Sequence, residues 1–184
     1  MSNKRKLSKQ ERRHYHEQML RRYTKQRHRN AAAVPGCQQM IFVLDHLKAG
    51  FNVAKIFRSA ESFGVHEIHL IDIPAFDPAP SKGAFRKVPA RFHDHFDSCY
   101  EELIGRGYKL FTLEPECEAT LNTTELPEKS AFIMGHEEHG ISIDHAQFDI
   151  QCRSIPQYGA TQSLNVSIAA SIVMYEYSSR FRSE

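Results

Sequence analysis

A chain of 184 residues is long enough for one domain with a substantial core and an extension. Its formal net charge of +2 conceals a split: residues 1–30 carry eleven Lys/Arg against two acids, and the remaining residues thirteen against twenty. No apolar run approaches the roughly 20 residues that span a bilayer, and the charged N-terminus has no apolar stretch behind it. A soluble, cytoplasmic protein is expected. A basic arm on a mildly acidic body suits a polyanionic partner, although a solvated tail has the same composition.

Residues 8–28 contain no Gly or Pro and read as a helix with Ser8 near its start. Its apolar stripe is thin (Tyr15, Met19, Leu20), so the helix should be marginal alone and order on a partner. A linker at 30–36 closes an N-terminal extension at 1–37 and leaves 38–184 as one domain. That domain alternates between element types. A strand at 39–45 leads to a helix at 51–64 closed by Gly64, the usual residue past a helix end. A strand at 66–73, a loop at 74–83 and a short strand near 87–92 follow. A helix at 97–107 then precedes strands at 108–114 and 131–135. A short helix near 144–148 and a strand at 149–156 lead to the last helix. The pattern predicts an α/β domain with a mostly parallel sheet covered on both faces. The cysteines, Cys37, Cys99, Cys117 and Cys152, form no CxxC pair, and free thiols are expected.

Three segments combine glycines or caps with polar residues at predicted strand ends, where α/β sheets bind ligands. The last, from Ser154 to Arg180, turns at Gly159 and sets Ser163 and Asn165 on either side of Leu164, at the mouth of a helix. That helix is apolar on nearly every face and should be buried, so its polar mouth either caps it or lines a pocket. The first, at 51–64, holds Asn52 and Arg58, and the second, FIMGHEEHGIS at 132–142, holds Gly135, Glu137 and Gly140. Each has a structural reading: Asn52 as an N-cap, Arg58 as a surface charge, the glycines as turn formers, Ser163 as a cap. Six residues rotate a helix face by about 120°, so Asn52 should sit before the first turn, steadying Arg58 or the loop that carries it.

Other chemistries fit less well. The histidines of His136-Glu137-Glu138-His139 are three apart in a glycine-bounded loop, not four apart on a helix as a zinc protease requires. The run His93-Asp94-His95 would alternate faces of a strand. No metal is expected. No GxGxxG follows the first strand, and Ser163 lacks a GxSxG elbow.

In order and spacing the three segments resemble the motifs of the SpoU (TrmH-like) family of RNA ribose 2′-O-methyltransferases, within the SPOUT class. The first motif is similar to NVAKIFRSAESFG, with Asn52 and Arg58. The second is similar to IMGHEEHGIS, with a G-x-E-x-x-G at Gly135, Glu137 and Gly140. The third is similar to IPQYGATQSLNVSIAASIVMYE, with its S-L-N core at Ser163, Leu164 and Asn165. The resemblance runs over 39–180, with one departure, Ala54 where the family usually has glycine.

The resemblance implies a trefoil knot made by the C-terminal segment, with S-adenosylmethionine held bent by Met134, Gly135, Gly140, Ile155, Gln157, Ser163 and Leu164. It implies a homodimer with active sites at the subunit interface, the last helix and the first-motif helix being the dimer surfaces. Arg58 would be catalytic, with Asn52, Glu137, Ser163 and Asn165 completing the site and Arg58 facing the mouth of the last helix. The substrate would be structured RNA, tRNA ahead of rRNA, gripped by Lys4, Arg5, Lys6, Arg12, Arg13, Arg21, Arg22 and Arg27. With about 38 residues before the body and few after its last helix, no separate RNA-binding domain is expected. Two alternatives stay open: a non-catalytic RNA-binding protein of the same fold, and a base-modifying SPOUT enzyme.

Overall fold

In chain order the described elements are α1 (Lys9–Asn30), β1 (Ile41–Asp45), α2 (Phe51–Ser62), β2 (Glu67–Ile71) and β3 (Ala90–His93), then α3 (Phe96–Gly105), β4 (Lys109–Leu113), β5 (Ser130–Met134), β6 (Ile150–Arg153) and α4 (Val166–Arg180). Two short 3-10 turns, Ala79–Ser81 and Ala84–Arg86, lie between β2 and β3. The structure, a computed structural model, describes residues 8–136, 138–143 and 147–181. Glu137, Lys4, Arg5, Lys6 and most of the short helix expected near 144–148 lie outside them.

The strands form one parallel sheet in the order β3-β2-β1-β5-β4-β6. β1, β2 and β5 are buried at every position, as strands covered on both faces must be. Alternate residues point to opposite faces. Phe42, Leu44, Ile68, Leu70 and Phe132 pack with α2 and α4, whereas Ile41, Val43, Ile71 and Ile133 pack with Phe96, Cys99 and Leu103 of α3. On the α3 face Glu67 accepts hydrogen bonds from His69 (3.0 Å), Arg91 (2.9 Å) and Arg106. Burial raises the pKa of its carboxyl, but these bonds more than reverse the effect and leave it well below the ordinary range.

α1 departs from expectation in what holds it. Ser8 accepts from Glu11 N (3.2 Å) while the Glu11 carboxylate accepts from Ser8 N (2.7 Å), a reciprocal capping box. Of the expected stripe only Met19 is buried; Tyr15 and Leu20 are exposed. The helix docks on its own chain through Tyr23, which stacks on Phe85 at 5.6 Å and meets Phe76 edge-on at 5.3 Å. Asn30 adds buried bonds: its amide donates to Phe85 O and Val88 O and its oxygen accepts from Ala90 N.

α4 is capped by Asn165, whose oxygen accepts from Ser167 N (3.0 Å) and Ser167 Oγ (2.6 Å). Ser163 does not cap it. The helix is not buried on every face either. Ala170, Val173, Met174 and Tyr177 are fully buried, but Ile168 is 52% and Tyr175 64% exposed. Ser171 Oγ and Ser59 Oγ, 2.8 Å apart, join α4 to α2. In the last turn Arg180, braced by Glu176 at 2.7 Å, donates to Leu121 O (2.6 Å) and Thr124 O, and the Tyr177 hydroxyl donates to Glu128 O.

The expectation of four free thiols is corrected for two. The loop after β4 runs beside β6, where Thr120 pairs with Ser154, and Cys117 is joined to Cys152 with their Cα atoms 5.9 Å apart. Cys37 and Cys99 are free.

Candidate active site

A cleft of about 730 Å³ opens at the C-terminal ends of β4 and β5 against the mouth of α4, within the size range of small-molecule sites. Its walls are Leu113–Glu116 after β4, the loop from Met134 to Ile141 after β5, and Ser163–Val166. An adjoining cavity of about 100 Å³ is reached by Ile155 and Gln157. Met134, Gly135, Gly140, Ser163 and Leu164 line the cleft, so all seven sequence-expected cofactor residues border one space or the other.

Backbone forms much of this surface. A Cβ on Gly135 would lie 2.5 Å from Gly140 C and 2.6 Å from Ile141 N, so no larger residue fits. Gly140 has φ +70, the left-handed region glycine favours. Between them His136 N donates to Gly140 O (2.6 Å) and Gly140 N to His136 O (2.9 Å). The loop is tethered by a residue that sequence reading passed over. Asp45, fully buried at the end of β1, accepts from Ser142 N (2.8 Å) and Ser142 Oγ. A carboxylate ending an otherwise apolar strand was the available signal. Glu116 and Glu138 stand at the opening, Glu138 being paired with Lys48 at 2.5 Å.

The first motif reaches the cleft through Asn52. Its side-chain oxygen accepts from Asn165 Nδ2 at 3.3 Å, tying the start of α2 to the start of α4. Asn52 lies inside the first turn of α2, whose N-cap is Gly50, and its contact is with Asn165. The expectation that it precedes the first turn is corrected. Arg58 is the larger departure. It shares the exposed stripe Phe51, Lys55, Arg58 and Ser62 on the outer face of α2 and does not line the cleft within one chain. Among the described residues its guanidinium makes no hydrogen bond or ion pair.

Arg12, Arg13, Arg21, Arg22 and Arg27 are all exposed on α1. Arg13 is paired with Glu17 at 3.1 Å, and Arg27 lies over the Phe92 ring at 4.1 Å. A basic cleft of about 240 Å³ between α1 and the 3-10 turns adds residues the sequence reading did not select: Lys25, Arg29 and Arg86 stand with Arg22 around Gly83. Arg86 is distant in sequence from the other three and meets them where Tyr23 docks α1 beside Phe85.

Comparison with known proteins follows the same geometry. Residues 39–175 match the model of the SpoU rRNA Methylase family. The chain is 27% identical over 139 residues to a tRNA (guanosine(18)-2′-O)-methyltransferase of Thermus thermophilus, covering 73% of this chain and 71% of that one. It is 29% identical over 147 residues to the 23S rRNA (guanosine-2′-O-)-methyltransferase RlmB of Xylella fastidiosa, covering 77% of this chain but only 59% of that protein. Among solved structures it superposes on a TrmH/SpoU tRNA modifying enzyme of A. aeolicus with a TM-score of 0.70 at 21% identity, over 88% of this chain and 83% of that one. An AdoMet-bound rRNA methyltransferase of Sinorhizobium meliloti gives 0.69 at 20% identity, over 84% of this chain and 61% of that one. With three motif segments gathered at one cleft and the family model matching most of its length, the chain belongs to the SpoU rRNA Methylase family.

Proposed function

We propose that this protein is an S-adenosylmethionine-dependent methyltransferase acting on a ribose 2′-hydroxyl of structured RNA, tRNA ahead of rRNA, in the cytoplasm. The observation that carries the reading is the Asn165–Asn52 bond beside a glycine-floored cleft, which joins the first and third motif segments at the wall facing the second. The cleft suits the cofactor: it has the volume, glycine backbone at Gly135 and Gly140 along its lining, and carboxylates favourable to a cationic ligand. S-adenosylmethionine supplies a methyl group already activated on a sulfonium. Met134, Gly135, Gly140, Ser163 and Leu164 would hold it, with Ile155 and Gln157 from the adjoining cavity.

The remaining task of the chain is to align the hydroxyl and stabilise charge developing on its oxygen. A guanidinium, with a pKa above about 12, scarcely acts as a base. Arg58 instead grips the neighbouring phosphate and stabilises the developing alkoxide. Because Arg58 stands outside the cleft of its own chain, a second copy delivers it. Phe51, Ile168 and Tyr175, exposed on α2 and α4, support such a homodimer, in which a two-fold contact covers an apolar face. Ser163, Asn165 and Asn52 position the sugar, and Glu137 completes the set by family resemblance.

The knot is part of this proposal. The segment between β6 and α4 would pass the loop at 114–129, a reading supported by the bonds of Arg180 and Tyr177 to that loop. Residues 1–37 would be an extension whose basic helix grips RNA phosphates, together with Arg86, in a salt-dependent manner. Transfer of labelled methyl from S-adenosylmethionine to fractionated tRNA and rRNA, followed by nucleoside digestion, tests the reading. A 2′-O-methylated nucleoside is expected. A methylated base, or RNA binding with no transfer, would overturn it.

A further inference from the structure

We propose that His69, His93 and Cys99 form a binding site for a divalent transition metal ion, zinc by its ligand chemistry, at the β3 edge of the sheet, across β1 from the strands that end at the cleft. The three residues come from β2, β3 and α3, and their donor atoms all lie within 4.8 Å of one another. His69 Nδ1 is 2.9 Å from His93 Nε2 and 3.3 Å from Cys99 Sγ. Local spacing could not reveal such a group, since it gathers one residue from each of three elements.

Hydrogen bonding alone leaves the cluster incompletely satisfied. His69 Nε2 faces the carboxylate of Glu67 at 3.0 Å. An ionised carboxylate only accepts, so Nε2 carries the proton and Nδ1 is left with one in-plane lone pair. Both His93 Nε2 and Cys99 Sγ point at that lone pair, and it can take a strong hydrogen bond from one of them. A metal ion between the three atoms resolves the competition. The surroundings have the form that metal-binding histidines show, in which the outer ring nitrogen is held by a carboxylate or another polar group. Glu67 holds His69, and Ser98 Oγ lies 3.3 Å from His93 Nδ1.

Two imidazoles and a thiolate favour zinc or a similarly soft ion over magnesium or calcium. Tetrahedral zinc would set these atoms roughly 3.3–3.6 Å apart, given Zn–N of about 2.0–2.1 Å and Zn–S of about 2.3 Å, so the two contacts of His69 Nδ1 need open by only a few tenths of an ångström. His93 is only partly buried, which leaves a fourth position for water. The ion would staple β3, a four-residue edge strand, to its neighbour and to the helix above it.

Cobalt(II) titration of the metal-stripped full chain, followed by near-ultraviolet absorption and metal analysis, tests this. One ion per chain with a thiolate-to-cobalt charge-transfer band, displaced by zinc, is expected. Cys99→Ser should abolish the band, and His93→Ala should weaken binding by more than roughly tenfold. His93 is partly exposed, so its variant should retain the wild-type circular dichroism. Cys37→Ser and Cys117→Ser should keep the band. Absence of the band in the wild type, its survival in Cys99→Ser, or its loss only in the Cys37 or Cys117 variant would overturn the assignment.

Discussion

α1 and α4 are opposite in kind, and neither is held as its composition suggests. α1 is polar around almost its whole circumference, yet Tyr23 and Asn30 pin it to the body. α4 is apolar through most of its length, yet it turns Ile168 and Tyr175 to solvent. The first is anchored at a few points, with Tyr23 and Asn30 buried and Tyr15 donating to Asp77 at 2.7 Å; the second is woven into the core but left with an uncovered side. A helix's mean polarity therefore says little about its role. The residues that break the pattern say more.

The sharpest way to break the comparison is Arg58→Ala, on the α2 face that adjoins the uncovered side of α4. Methyl transfer should fall about 10³-fold, with an unchanged melting temperature because the side chain is exposed. Retained turnover would separate that face from the active site. On the α1 side, Tyr23→Ala removes the ring seated against Phe76 and Phe85 and should cost about 3 kcal/mol. Hydrogen exchange should then show α1 amides losing protection while β1 and β5 keep theirs; equal loss in both would make α1 part of the core.

Charge reversal of Lys25 and Arg29 to Glu should leave stability alone and weaken RNA binding about tenfold at moderate salt. The slope of log affinity against log salt should shrink by roughly one to two. Asn165→Ala removes a cap worth about 1 kcal/mol and the bond to Asn52, so a lower melting temperature should accompany a raised KM. The smallest effect concerns Tyr177. Burial pushes its phenol above the ordinary value, so the folded chain keeps a proton that the unfolded chain releases. That stability is whole below a pH of about 10 and is lost as pH rises through the folded value. Urea midpoints at about pH 9 and about pH 11 should diverge less in Tyr177→Phe than in the wild type.

Legibility in the sequence followed the range of the interactions. Strands β1 and β5 announce themselves as apolar runs, and Gly64 marks the end of α2 with a left-handed φ of +65. Gly135, Gly140, Ser163 and Leu164 could be grouped because each belongs to a local motif at a strand end. Tyr23, Asn30 and the Lys25–Arg86 cleft were missed because their partners come from the distant segment that holds Phe76, Phe85 and Arg86. Cys117 and Cys152, 35 residues apart, were read as free for the same reason. The orientation of Arg58 follows from helical rotation. Where it acts depends on a surface beyond its own chain.

The fork of Arg180 has a consequence in time. Leu121 and Thr124, in the loop that continues from one wall of the cleft, receive hydrogen bonds from a residue 59 and 56 positions later. During synthesis the sheet strands β1, β2 and β3 emerge long before that partner exists. Contacts of such sequence separation form late, because the chain between them must first be ordered. The cleft wall thus waits for the last helix, and the binding site is among the last parts of the fold to be completed.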